Sequence, residues 1–260
     1  MPQTGHGAVR RAGALPTAAN ALTLRFLGTR GEVELRSERH RWHSVLSVTV
    51  ARRRILVDCG EDWLNELGRL SPQAIVLTHA HRDHAGGLRH GAACPVYATD
   101  ETWARIGRYP IDVRQRIIPR TPFDIEGITF EAFPVEHSLL APAVGFRIGL
   151  RDRVVFYVPD LVSIRDRAEA LHGIDVYVGD GASLTRPIVR RRDGVPIGHV
   201  SIREQLDWCA AESVTRAVFT HCGSQIIRGE EALERRVAAL GRERGIRAAV
   251  AYDGLRLVLR

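Results

Sequence analysis

Three histidines and one aspartate fall within six residues in Thr78-His79-Ala80-His81-Arg82-Asp83-His84-Ala85-Gly86-Gly87. The stretch follows directly on the apolar run Ala74–Leu77. Few folds give such a cluster a place, because it must sit on a loop at a strand end with its side chains turned toward one point. Histidines at i and i+2 on a loop can face one ion, and the Asp-His pair beyond can turn toward a second. Imidazole and carboxylate suit zinc, manganese or iron. The two glycines that follow permit a tight turn. A solvated polar loop would not need four ligand-type side chains in this space.

Other chemistry-bearing residues share this placement. His137 follows the apolar stretch Phe130–Val135, Asp160 follows Val154–Val158, and His221 follows Ala217–Phe219. A rigid sheet can bring strand ends together at one edge. Taken singly, each residue has an ordinary reading as a satisfied core histidine or, for Asp160, a helix cap. Taken together, His79, His81, His84, His137 and His221 with Asp83 and Asp160 exceed what one tetrahedral ion takes. Two divalent metal ions sharing a carboxylate fit the number, with zinc the first expectation and manganese or iron the alternatives.

The surrounding chain reads as a mixed α/β sequence. Short runs rich in Val, Ile and Phe predict strands at Leu22–Leu27, Val45–Val50, Arg54–Val57, Val96–Ala98, Ile128–Pro134, Val144–Ile148, Asp175–Val178, Ala248–Ala251 and Leu255–Leu259, besides those preceding the candidate ligands. Ser201, three residues before Glu204, opens a helix to Ser213. Glu230–Arg244 carries Leu233, Val237 and Leu240 at helical spacing and stops at Gly245. Asp62–Leu70 and Thr99–Gly107 are weaker helical patterns. Residues 1–20 are small, polar and aperiodic and read as a disordered leader; residues 21–260 read as one domain with sheets inside and helices outside.

Composition removes several mechanisms. All 37 basic residues are arginine, so Schiff-base chemistry, a P-loop lysine and a kinase-type lysine are excluded. Cys59, Cys94, Cys209 and Cys222 form no C-x-x-C pair, and no G-x-S-x-G elbow is present. No run of 18 apolar residues occurs, so no membrane span is expected and the cytoplasm is the default location. A homodimer is among the assemblies this composition allows. The net charge of +7 biases the protein toward anionic partners, although arginine-rich coding alone produces such a balance. Arg36–His43, Arg186 and Arg190–Arg192 are basic runs that read either as phosphate contacts or as solvated loops.

The H-x-H-x-D-H run, Asp58 in Val57-Asp58-Cys59-Gly60, His137, Asp160 and His221, in this order, resemble the metallo-β-lactamase superfamily over about residues 21–260. The resemblance implies a four-layer αββα sandwich with a dinuclear metal centre. By that pattern His79, His81 and His137 hold one metal, Asp83, His84 and His221 the other, and Asp160 bridges. Asp58 would support the ligand loop without binding metal. Leu27-Gly28-Thr29-Arg30-Gly31 and Gly198-His199-Val200-Ser201 are similar to segments of the phosphodiesterase branch, that of ribonuclease Z and the cyclic phosphodiesterase of phosphonate breakdown. That likeness implies that His199 stabilises phosphate or gives a proton to the leaving oxygen; its other reading is a helix-start residue beside Ser201. The chain has no long Gly/Pro-rich insertion like the tRNA-gripping arm of ribonuclease Z, and no cysteine cluster for a further structural zinc. The expected function is hydrolysis of a phosphodiester or nucleic-acid-like anionic substrate by a metal-activated hydroxide, with Asp83 and His199 catalytic. The alternatives are a carbonyl hydrolase of the same fold (lactonase, thioesterase or β-lactamase-like) and a non-enzymatic, metal-stabilised nucleic-acid-binding module.

Overall fold

The computed structural model describes residues 21–260, so the expected leader over residues 1–20 lies outside the described residues. The chain opens with β1 (Leu22–Gly28), β2 (Val45–Val50) and β3 (Arg53–Val57), followed by α1 (Leu67–Leu70), β4 (Ala74–Val76), α2 (Arg82–Ala85), β5 (Val96–Ala98), α3 (Asp100–Ile106) and β6 (Arg114–Arg116). The second half runs β7 (Phe123–Ile125), β8 (Ile128–Glu136), β9 (Ala143–Leu150), β10 (Arg153–Tyr157), β11 (Ser163–Ile164), α4 (Arg167–Leu171) and β12 (Val176–Asp180). It closes with β13 (Ile188–Arg192), β14 (Val195–His199), α5 (Ile202–Ala211), β15 (Arg216–Thr220), α6 (Ser224–Arg242), β16 (Arg247–Val250) and β17 (Arg256–Leu259).

Two large sheets result. One has the order β17-β1-β2-β3-β4-β5-β6; the other runs β11-β8-β9-β10-β12-β15-β16, with β7 on β8. Each begins with antiparallel strands and becomes parallel toward one side, at β3-β4-β5-β6 and at β10-β12-β15-β16. Side-chain alternation explains the layering. On β3, Ile55 and Val57 face the space between the sheets while Leu56 faces outward. On β10, Val155 and Tyr157 face inward while Phe156 packs outward with Leu206 of α5 and Val237 and Leu240 of α6. The inter-sheet core joins Phe26, Leu46 and Val76 to Phe130, Phe146 and Val218. Trp63, Leu67 and Ile106 cover the outer face of the first sheet. Helix, sheet, sheet and helix are therefore stacked as expected. Among the described residues no helix is long and apolar enough to cross a membrane.

Several elements differ from the sequence reading. The last helix begins at Ser224 rather than Glu230, and Glu230 is a non-helical kink within it. Asp62–Leu70 is not one helix but a 3₁₀ turn at Glu61–Trp63 followed by the single turn α1, which ends on left-handed Ser71. Arg190–Arg192 belong to a hairpin, β13–β14, rather than a loop. Its turn residues Asp193 and Gly194 both have positive φ (50° and 79°), the geometry an Asp-Gly hairpin favours.

The basic segment Arg36–His43 does not present its histidines to solvent. Thr29 Oγ1 donates to Asp253 Oδ1 (2.7 Å), and the backbone N–H groups of Arg41 and Trp42 donate to Asp253 Oδ2 (2.8 and 3.0 Å). His40 is buried, with Nδ1 2.8 Å from Thr29 Oγ1. Burial pushes the His40 imidazole down to about 4. Above its ordinary value near 6.5 the ring is neutral in both folded and unfolded chains; below it only the unfolded chain takes the proton. Stability is thus lost as pH falls from 6.5 toward 4, on the order of 3 kcal/mol from this residue. Urea unfolding of chelator-treated protein is expected to show a shallower loss across this range for His40→Asn than for the parent. Equal slopes would remove His40 as a cause.

Candidate metal centre

The seven candidate ligands meet where strand ends from the two sheets face one another. β4 delivers His79 and His81, the single turn α2 delivers Asp83 and His84, β8 ends just before His137, β10 before Asp160, and β15 before His221. Residues beyond the carboxyl ends of parallel strands commonly form such sites in α/β proteins. His79, His81, His137 and Asp160 form one set of converging ligand atoms, and Asp83, His84, Asp160 and His221 a second, with Asp160 common to both.

The spacings fit divalent metal. His79 Nε2 and His81 Nδ1 are 2.9 Å apart, His137 Nε2 is 3.2 Å from His81 Nδ1, and Asp160 Oδ2 is 3.4 Å from His79 Nε2. A tetrahedron with ligand bonds of about 2.0–2.1 Å has edges of roughly 3.3 Å. In the second set, Asp160 Oδ2 lies 3.0 Å from His84 Nε2, and Asp83 Oδ2 lies 2.9 Å from His221 Nε2. His84 Nε2, Asp160 Oδ1 and His221 Nδ1 are buried with no hydrogen-bond partner. Orphaned atoms of this kind are costly in a folded protein unless something binds them.

Neighbouring groups fix the imidazole tautomers. Thr78 Oγ1 donates to Asp58, so His79 Nδ1 donates to Thr78 Oγ1 (3.0 Å) and keeps its Nε2 lone pair for the centre. His84 Nδ1 donates to Asp58 Oδ2 (2.8 Å), and His137 Nδ1 to the carbonyl of Gly198 (3.0 Å). Backing of this type orients metal-binding imidazoles and raises their basicity. Burial, then the surrounding imidazoles, holds His79 well below the usual histidine range; burial, then His137, lowers His81 to about 4. Both rings stay neutral near pH 7, the state a metal requires.

The backbone is shaped to this packing. Asp58 and His221 are non-glycine residues with positive φ (66° and 54°), a strained conformation that recurs at functional sites. At Gly31 a Cβ would meet the His221 ring at 2.8 Å. Gly198 has φ +121°, and a Cβ there would meet the carbonyl oxygen of Ile188 at 2.0 Å. Only glycine lets β14 turn in so that Gly198 brackets His137, its N–H donating to the His137 carbonyl (2.9 Å).

His199, at the end of β14, stands beside the two sets. Its Nδ1 lies 2.8 Å from Asp180 Oδ2 and 3.0 Å from Asp160 Oδ1, leaving Nε2 without a partner among the described residues. Burial disfavours its charge, but the Asp180 and Asp160 carboxylates outweigh that and raise the ring to about 11. Ser201 caps α5, accepting from the Glu204 N–H. Asp180 was missed by the sequence reading. It is wholly buried and accepts from the N–H groups of Ala182 (2.7 Å) and Leu161 (3.3 Å) as well as from His199. Gln205 grips its peptide, accepting from Asp180 N–H and donating to the Asp180 carbonyl (2.9 and 2.8 Å). Asp180 belongs to a third converging set with Asp160, His199 and His221, but both its oxygens already accept hydrogen bonds. It positions His199. The signal was present, because Gly179-Asp180-Gly181 ends an apolar strand just as the other candidates do.

The cysteines take no part as nucleophiles. Cys222 is fully buried, and burial pushes its thiol up. His43 is also buried: its N–H donates to Asp62 and its carbonyl accepts from Trp63 Nε1. Arg36 pairs with Asp62 at the surface. Arg186, by contrast, lines a cavity of about 790 Å³ shared with Asp83, Asp160, His199 and His221.

The chain matches the beta-lactamase superfamily domain over residues 53–222, a span that holds every candidate ligand. It belongs to the metallo-β-lactamase superfamily. Among curated relatives, it is 24% identical over 234 residues to ribonuclease Z of Mycolicibacterium paratuberculosis, covering 71% of this chain and 81% of that protein. It is 29% identical over 246 residues to ribonuclease Z of Bradyrhizobium diazoefficiens, covering 79% and 80%. A solved diphosphatase of the PhnP family superimposes with a TM-score of 0.69 at 21% identity, covering 92% of this chain and 97% of that one. The expected superfamily, its fold and the assignment as a hydrolase are met.

Because Asp58 holds both Thr78 and His84, Asp58→Ala is expected to weaken divalent-metal binding by about 10–100-fold in chelator competition. Unchanged affinity would show that the ligand loop orients itself without that carboxylate.

Proposed function

We propose that this superfamily member is a dinuclear metal-dependent phosphodiesterase. The observation that carries the reading is the cavity beside the ligand sets, lined by both Arg186 and His199. A guanidinium and an imidazolium there match the negative charge of a phosphoryl group in displacement. The ribonuclease Z relatives and the diphosphatase likeness support the same class.

His79, His81, His137 and Asp160 would hold one ion, and Asp83, His84, His221 and Asp160 the other, zinc first and manganese or iron as alternatives. Divalent ions in such a centre supply Lewis acidity and an acidified water. Asp83, on the cavity wall, takes up the proton of the attacking water. His199 gives the proton at Nε2 to the departing ester oxygen, and Asp180 keeps that ring in place through Nδ1. Arg186 draws the substrate anion into the cavity.

The test is hydrolysis of bis(p-nitrophenyl) phosphate and of the dinucleotide thymidylyl-thymidine, beside a lactone and a thioester, with added zinc or manganese. Asp83→Ala is expected to abolish turnover. His199→Ala should lower kcat on the dinucleotide by about 10²–10³, and far less on the nitrophenyl ester, whose leaving group departs unprotonated. Asp180→Asn should show the same selective loss, smaller in size. Carbonyl turnover without phosphodiester turnover would sink the proposal in favour of a carbonyl hydrolase, a reading that the exposed apolar residues Leu140 and Ile188 near the centre would then serve.

A further inference from the structure

The ligand sets open on two cavities rather than one. The larger, about 790 Å³, lies on the Asp83 and His221 side; the other, about 510 Å³, lies against the β13–β14 hairpin. Each falls within the size range of a small-molecule site. They meet at His81, His137, Ile188 and His199. A substrate reacting at the junction therefore has room on both sides, as a linear phosphodiester with two separate ester arms requires.

The hairpin gives the smaller cavity its chemistry. Ile188 pairs with His199, Arg190 with Ile197 and Arg192 with Val195. Cross-strand partners share a face and side chains alternate, so Ile188, Arg190 and Arg192 stand on the same face as His199. At about 3.3 Å per residue, Arg190 and Arg192 lie roughly 7 and 13 Å along the strand from Ile188. Both line the cavity. Neither forms an ion pair or side-chain hydrogen bond among the described residues, whereas Arg191, on the opposite face, donates to the Gly194 carbonyl (2.8 Å). Leu140 and Ile188, 57% and 56% exposed, and Val189 line the same cavity, although large apolar side chains are exposed at only six described positions. Moving outward from His199, the hairpin thus offers an apolar platform and then two free guanidinium groups.

We infer that the β13–β14 hairpin selects linear phosphodiesters in which one ester arm carries a further phosphate, Arg190 and Arg192 binding that phosphate while Leu140 and Ile188 bear on the arm between. The inference rests on the phosphodiesterase reading of the centre. Planar guanidinium forks match phosphate oxygens, and the apolar platform suits a nucleobase-like body.

The test compares kcat/KM for thymidylyl-thymidine with that of the same dinucleotide carrying an added 5′- or 3′-phosphate. One phosphorylated form is expected to be preferred by about tenfold or more at low salt, and the preference should shrink as salt is raised. In Arg190→Ala/Arg192→Ala the ratio should fall toward one, and in Arg190→Glu/Arg192→Glu it should drop below one; thermal unfolding checks that each variant is folded. A parent enzyme without the preference, or a preference that survives in both double variants, would overturn the hairpin's role. So would faster turnover of thymidine 3′,5′-cyclic phosphate than of any linear diester. Failure of the underlying reading looks different, since the parent would then cleave neither thymidylyl-thymidine nor bis(p-nitrophenyl) phosphate.

Discussion

Asp160 is the carboxylate around which the centre is built. Its oxygens lie within 3.0–3.6 Å of nitrogens of His79, His84, His137, His199 and His221. Burying five imidazoles and two carboxylates at the junction of two sheets would be severely unfavourable for isolated groups. One anion placed among the rings offsets much of that cost. It also fixes the distance between the two ligand sets, because a single side chain belongs to both. Asp160 occupies that point because β10 is central in its sheet and Pro159 carries the chain off the strand end.

Two features show how much rigidity surrounds this point. Asp58 and His221 hold left-handed backbone conformations without being glycine, and Gly31 and Gly198 leave out side chains that would collide with the His221 ring and the Ile188 carbonyl. Each arrangement costs free energy locally, roughly 1 kcal/mol or more for a strained non-glycine residue. The hydrogen bonds from Thr78 and His84 to Asp58, and between Gly198 and His137, hold the geometry against that strain.

The fold and the centre were legible in the sequence to different depths. Strand-end ligands could be read because the evidence is local: an apolar run, then a histidine or aspartate. Asp180 obeys the same rule, but the apolar run stops at Val178, two residues before the strand does. The start of α6 is not legible because its first turns, Ser224–Gly229, include a glycine and precede the kink at Glu230, which breaks the helical repeat. β6 escaped notice because Arg114–Arg116 is exposed throughout and carries no apolar alternation. The β13–β14 hairpin was hidden by its arginines, which read as a solvated run, although Asp193-Gly194 is a strong turn signal. His40 and His43 show the opposite error. Their basic segment reads either as phosphate contacts or as a solvated loop, but its polar atoms are taken by Asp253, Thr29 and Asp62.

The arginines divide into those that serve the fold and those that are left without a carboxylate. Many guanidinium groups are spent on the fold: Arg30 and Arg36 on Asp62, Arg120 on Glu131, Asp166 and Glu169, Arg153 on Asp175, and Arg147 on three backbone carbonyls. Bias in coding would supply arginines without regard to position, and packing would then neutralise those that fall near carboxylates. Arg186, Arg190 and Arg192 share the lack of a carboxylate partner with exposed arginines elsewhere among the described residues, such as Arg52, Arg151 and Arg203, but these three line the cavities that meet at His199. Charge left uncompensated beside a set of converging metal-type ligands has a direct physical consequence. It lowers the energy of an anion beside those ligands, along the face of the hairpin that Arg190 and Arg192 share with His199.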